Sequence, residues 1–230
     1  MRGHKASILA DDNLRRYTPP SPGNSGSTLE ALAAVTRYRR GQEIRSPRSP
    51  AESWYRVVIG VVGRCAVRAG GRRQIVDLLL PGDFFFDSMP PVDQHCSVEA
   101  VVEGTVVACY SRERAERLAA FDPDVAHEIR DMTAAITWRL EEQILILGRT
   151  TATKKIGCFL LKMAERCSKS ETDKNRMALP ISRYDIADHL AISVETVSRS
   201  LTELKQRGAI ALAGTRQIRI VDRAALDDED

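Results

Sequence analysis

The chain has 230 residues, 43% of them hydrophobic and 28% charged, with a formal net charge of +3. That composition suits a globular protein long enough to form two domains with separate cores. It excludes a membrane span, because no run approaches the roughly 18 consecutive apolar residues such a helix needs. The opening MRGHKASILADDNLRR places charge on both sides of a very short apolar piece, so it does not read as a secretory signal, and a cytoplasmic location is expected. The five cysteines (65, 96, 109, 158 and 167) contain no C-x-x-C pair. Neither a disulfide framework nor a zinc site of usual spacing follows from them, and free thiols packed as small hydrophobes are expected.

Charge is unevenly spread. Residues 151–220 hold 13 Lys and Arg against 7 Asp and Glu, whereas the last ten residues hold one Arg against five acids. The basic part belongs to a folded unit and the acidic end reads as a solvated tail.

In chain order, residues 1–27 contain PPSPGNSGS and no sustained periodicity, and read as a flexible arm. Residues 28–110 consist of short apolar runs such as WYRVVIGVVG, broken by AGGR and LPGD. Their β-branched content predicts short antiparallel strands in a β-roll of the cupin-like jelly-roll type, with Gly70-Gly71 at a tight hairpin turn. Residues 111–150 turn helical, first as SRERAERLAAF and then as a long helix capped by Asp122 or Asp124, with Pro123 near its first turn. Along that helix Val125, Ile129, Met132, Ile136, Leu140, Ile144 and Leu147 step by three or four residues. Lying between two domains, the stripe is expected to form a dimerisation seam through Ile129, Met132, Ile136, Leu140, Ile144 and Leu147 rather than to pack only within one chain.

Residues 151–230 are expected to form a winged helix-turn-helix domain ending in the acidic tail. Within ISRYDIADHLAISVETVSRSLTELKQRGAI, Ser182 and Asp185 resemble a capping box, and Ile181 and Ile186 stand as a hydrophobic staple. A short helix over 183–190 follows, then the turn Ala191-Ile192, then a second N-cap at Ser193. On a wheel of about 100° per residue, Val194, Val197, Leu201 and Leu204 share one arc, and Glu195, Ser198, Arg199, Thr202 and Gln206 share the adjoining one. Two short capped helices joined so tightly make a helix-turn-helix, and the polar arc suits a DNA major groove. Arg199 can donate to guanine O6 and N7, Glu195 can accept from a cytosine N4 amino group, and Ser198 is short enough for a thymine edge or a phosphate. Ser193, Thr196, Thr202, Lys205 and Arg216, the last at the tip of a wing around Ala213-Gly214-Thr215, are expected on the DNA backbone. The plainer reading makes Glu195 and Arg199 an i,i+4 surface ion pair, and the capped, basic setting favours the DNA reading over it.

Over roughly residues 28–222 the chain resembles the Crp/Fnr transcription regulators, and Glu195-Thr196-Val197-Ser198-Arg199 matches the E-x-x-S-R motif of the Fnr/FixK branch. The resemblance implies an α+β fold: an N-terminal β-roll, a long dimerisation helix and a C-terminal winged helix-turn-helix. It also implies a homodimer that reads inverted repeats of TTG-type half-sites through Glu195, Ser198 and Arg199, and an activator that contacts RNA polymerase. Residues 1–64 lack the cysteines of an Fnr-type iron–sulfur cluster. PGDFFFDSMPPVDQHCSVEA also lacks the glycine-glutamate and arginine-serine pairs of the cyclic-nucleotide branch. A FixK-like regulator with no cofactor, no metal and no catalytic residues is therefore expected.

Two rival readings stand beside it. One is a ligand- or haem-gated sensor on the same scaffold, for which His95-Cys96 is the sole adjacent pair of soft ligands. The other is a metal-dependent cupin-like enzyme, against which the β region offers only His95. Asp185 and His189 share a helix face at metal-ligand spacing, but with no third ligand near they are expected to form a surface pair.

Overall fold

The computed structural model describes residues 33–45, 53–67, 70–86, 96–167, 175–214 and 216–227. The expected N-terminal arm, His95 and the last three acids of the tail lie outside the described residues.

Among the described residues seven short strands come first: β1 Ala34–Tyr38, β2 Ser53–Ile59, β3 Val62–Val67, β4 Arg73–Leu79, β5 Phe84–Phe86, β6 Cys96–Ala100 and β7 Thr105–Ser111. They form two antiparallel sheets, in the orders β1-β7-β2-β5 and β4-β3-β6. Gly70 and Gly71 both have positive φ, the backbone that the β3–β4 hairpin turn requires and that only glycine adopts freely. Tyr55, Val57 and Val107 from the first sheet meet Val62, Leu79 and Val98 from the second in an apolar core, with Tyr55 stacked on Phe85 at 4.9 Å between ring centroids.

The first sheet is covered on its other side by two helices, α1 Arg112–Ala119 and α2 Pro123–Gly148. Trp54, Ala108 and Tyr110 of that sheet bury Ala115, Val125 and Met132. This cover explains why β7 is buried along most of its length instead of alternating. Asp122 caps α2, its carboxylate accepting from the amides of Asp124 at 3.0 Å and Val125 at 3.4 Å, and Pro123 occupies the first helical turn.

The stripe expected to form a seam along α2 is divided by burial. Met132 is 6% exposed and, with Ile129, lies against the β-roll of its own chain; Ile136, Leu140 and Leu147 are half-buried, and Ile144 is open. The period marks burial at Met132 but not at Ile144, and the β-roll of the same chain covers Ile129 and Met132. Trp138 and Leu145, about 70% exposed, join Ile144 on the open side of the helix.

The C-terminal unit contains α3 Ala152–Cys167, β8 Arg176–Ala178, α4 Arg183–Leu190, α5 Val194–Gln206, β9 Ile210–Ala213 and β10 Gln217–Ile220. The strands form a β8-β10-β9 sheet, in which β8 was too short to leave a periodic trace in the sequence. Phe159 and Leu160 of α3, Ile186 and Leu190 of α4, and Val197, Leu201 and Leu204 of α5 close on Ile210, Ile218 and Ile220. That cluster continues into the β-roll through Cys65, Ile75, Leu78 and Leu80. A bulge assists: Arg64 pairs with Asp77 and Cys65 with Ile75, leaving Val76 as the extra residue of β4.

Candidate nucleic-acid interface

The two helices that build the site are fixed locally before anything docks on them. At the start of α4 the Ser182 Oγ accepts from the Asp185 amide at 3.2 Å, and the Ser182 amide donates to Asp185 Oδ2 at 3.0 Å. This reciprocal box satisfies donors that the first helical turn leaves open. The helix ends at Ala191, whose φ of 55° turns the chain through the left-handed region, a place more often held by glycine. Ser193 then caps α5 by accepting from the Thr196 amide at 3.1 Å.

Helix α5 is anchored by Val197, Leu201 and Leu204 in the core, and by Ser200, whose hydroxyl accepts from Thr153 Oγ1 at 3.2 Å. The opposite arc is open: Ser193, Glu195, Arg199, Thr202, Lys205 and Gln206 are exposed, with Thr196 and Ser198 half-buried beside them. Thr196 shares a hydroxyl contact with Ser193 at 2.9 Å, and Thr202 Oγ1 donates to the Ser198 carbonyl at 2.9 Å. The Glu195 carboxyl is held below its ordinary range, first by its own backbone amide, then by Ser193, with Arg199 adding attraction. It is therefore a fixed anion at the N-terminal turn of the helix. Arg216 is exposed between β9 and β10.

Other residues belong to the site's surroundings and were not anticipated. Arg183, the first residue of α4, donates from Nη1 to Ser198 Oγ at 3.2 Å. Its neighbour Tyr184 is largely exposed. Neither left a signal in the sequence beyond its place at a helix start.

Asp185 and His189 depart from expectation. They are not a surface pair: at 2% and 6% exposure, both are buried where α4 docks on β4. The Asp185 carboxylate meets Arg73 Nη1 at 3.2 Å and Arg40 Nη2 at 3.5 Å. Arg73 also pairs with Asp188 and Glu99. The His189 Nδ1 lies 3.1 Å from the Ile75 carbonyl, and Gln143 of α2 donates to the His189 carbonyl at 2.8 Å. Burial pushes the His189 pKa down to about 4, so the ring is neutral. The i,i+4 face was visible in the sequence, but its partner lies more than a hundred residues away in β4. Among the described residues no group of three or more His, Cys, Asp or Glu is placed to hold a metal ion.

Residues 154–229 match the Crp-like helix-turn-helix domain, and residues 35–120 match the cyclic nucleotide-binding domain. The nitrogen fixation regulation protein FixK of Azorhizobium caulinodans is 37% identical over 221 residues, spanning 95% of this chain and 84% of that protein. The chain belongs to the Crp/Fnr family. The FixK protein of Rhizobium meliloti is 33% identical over 193 residues, 84% of this chain and 85% of that one. The structure of FixK2 from Bradyrhizobium japonicum superposes with a TM-score of 0.72 at 37% identity, covering 85% of this chain and 96% of that one. A CooA mutant from Carboxydothermus hydrogenoformans gives 0.71 at 17% identity, which speaks to the fold alone.

As a Crp/Fnr chain the protein is a DNA-binding transcription regulator rather than an enzyme, and α4 with α5 is its helix-turn-helix. The β-roll is the domain that in this family resembles a cyclic nucleotide-binding module. Among the described residues the core between its sheets is apolar, and a buried arginine, Arg139, lies on α2 bound to Asp77. Among the described residues no helix is long and apolar enough to cross a membrane.

Proposed function

We propose that this regulator binds double-stranded DNA as a homodimer, reads TTG-type half-sites of an inverted repeat, and activates transcription by contacting RNA polymerase in the cytoplasm. The observation that carries the proposal is the arc of exposed Glu195 and Arg199 with half-buried Ser198 beside them, held on a helix whose opposite face is locked into the core. Arg199 would donate two hydrogen bonds to guanine, Glu195 would accept from cytosine N4, and Ser198 would meet the adjoining edge. Ser193, Thr196, Thr202, Lys205 and Arg216 would hold the phosphates that set register. A two-fold axis would place a second copy of α5 about 34 Å away, one turn along the duplex.

Names of relatives support the activating role: the transcriptional activator FnrL of Cereibacter sphaeroides is 30% identical over 207 residues. The Trp138, Ile144 and Leu145 side of α2 supports pairing through the long helix, since a second copy would cover these residues. The apolar β-roll core and the missing N-terminal cysteines support a protein that works without a cyclic nucleotide or an iron–sulfur cluster.

The test is a binding assay on a TTG-type palindrome with no added effector, run with reduced and with oxidised protein. Specific binding by the reduced form alone supports effector-free regulation with thiol control. Binding only after adding a small molecule overturns the effector-free reading.

A further inference from the structure

One arm of the reading face is held from outside its own helix. Arg183 opens α4, is half-exposed, and spans the helix-turn-helix to donate from Nη1 to Ser198 Oγ at 3.2 Å. Both ends of this contact are fixed. The capping box at Ser182 and Asp185 sets the backbone of Arg183, and Asp185 is itself clamped by Arg73. On α5, Val197 is fully buried next to Ser198 in the chain, and Thr202 ties the Ser198 carbonyl. We infer that Arg183 is a positioning residue for base discrimination: it occupies the Ser198 oxygen as an acceptor, so the hydroxyl offers its proton to the DNA. The inference rests on the reading-face proposal above.

The chemistry follows from the nature of a hydroxyl. Free serine turns its single proton to suit a donor or an acceptor, and so discriminates poorly. A guanidinium donor makes a charge-assisted bond to one of the oxygen's two lone pairs, and this polarises the hydroxyl so that the remaining lone pair is a weaker acceptor and the O–H a stronger donor toward the groove. In the major groove guanine offers N7 and O6, adenine N7 and thymine O4 as acceptors, whereas cytosine offers only its N4 amino donor. A serine held this way favours guanine, adenine or thymine and opposes cytosine, where donor would face donor. Arg183 therefore gives Ser198 a preference that the residue lacks by itself. The rival role for a cation here is a phosphate contact, which is blind to sequence and sensitive to salt.

The test uses the full-length protein and competition binding to palindromes in which each half-site pair is replaced in turn by the other three. Wild type, Arg183→Met, Arg183→Lys, Ser198→Ala, Arg199→Ala and the Arg183→Met/Ser198→Ala double variant are compared. Arg183→Met should lose about three- to tenfold discrimination against cytosine, the worth of one hydrogen bond, at the single pair that Ser198→Ala also affects. The double variant should lose no more than either single one, Arg183→Lys should retain most of the discrimination, and the pair read by Arg199 should be unaffected. If Arg183→Met instead weakens every palindrome by one factor and flattens the salt dependence, Arg183 is a phosphate contact and the inference is overturned. If Ser198→Ala alters one pair and Arg183→Met alters none, the positioning role alone is overturned. If neither Ser198→Ala nor Arg199→Ala alters any pair, the reading face and this inference fall together.

Discussion

Arg73 on β4 and Asp185 on α4 lie 3.2 Å apart, and this contact ties the β-roll directly to the first helix of the helix-turn-helix. Asp185 also closes the capping box of α4, so one carboxylate terminates the helix and docks it. Removing Arg73 leaves that nearly buried carboxylate short of its main cation. Such truncations cost about 3–5 kcal/mol for fully buried pairs, and roughly half of that is expected here because the Arg73 side chain is one-third exposed. Arg73→Met should lower the melting temperature and speed amide hydrogen exchange in α4. Unchanged exchange in α4 would show that the contact does not hold the two parts together.

A second buried pair joins the long helix to the same strand. Arg139 Nε donates to Asp77 Oδ1 at 2.8 Å and Nη2 to Oδ2 at 3.0 Å, with Nη2 also reaching the Phe84 carbonyl at 3.3 Å. Arg139→Met should cost about 3–5 kcal/mol, since it strands the buried Asp77 carboxylate, and Asp77→Leu should cost less, because Arg139 Nη1 keeps Asp83 at 3.6 Å. The double variant should recover most of the loss. A double variant as unstable as the sum of its parts would contradict this reading.

The buried imidazole predicts a pH dependence of known sign. Unfolded histidine titrates near 6.5, whereas His189 in the fold stays neutral down to about pH 4. Its contribution is fully present above about pH 6.5. It is lost as the pH falls from there toward 4, because the unfolded chain binds a proton that the folded one refuses, with a slope of up to about 1.4 kcal/mol per pH unit. Denaturant melts of wild type and His189→Gln across this window should show a shallower slope for the variant. Parallel curves would mean that the histidine does not titrate as its burial requires.

Pairing through α2 can be separated from packing within the chain. Leu145→Glu places charge on the open side of the helix and should shift the protein toward monomer in sedimentation while changing the stability of the single-chain fold by no more than about 0.5 kcal/mol. Met132→Glu places charge inside the contact with Trp54 and Tyr110 and should unfold the β-roll. A dimer unaffected by Leu145→Glu would place the interface elsewhere.

Local signals were the legible part of the sequence. The caps at Ser182 and Ser193, the Gly70-Gly71 turn and the two helices of the helix-turn-helix are set by neighbours within four residues and are legible in the sequence, which also narrows the cap of the long helix to Asp122 or Asp124. The polar arc of α5 was equally legible, because the helical period alone separates it from Val197, Leu201 and Leu204. What escaped depends on distant partners. Arg183 meets Ser198 across a turn, Asp185 and His189 are buried by β4, and Met132 is covered by the first sheet. An apolar stripe states that a face is buried without stating by what. Arg139 and Gln143, buried polar residues among the apolar positions of α2, were the signal that part of that face packs against polar groups of the same chain.

Arg199 stands at the centre of the proposed reading face. The most direct measurement is the affinity of wild type and Arg199→Ala for the TTG-type palindrome and for versions with its guanine pair replaced, at fixed salt. The variant should lose about 1–3 kcal/mol of discrimination at that one pair while discrimination at the others persists. An Arg199→Ala protein with wild-type selectivity at every position would contradict it.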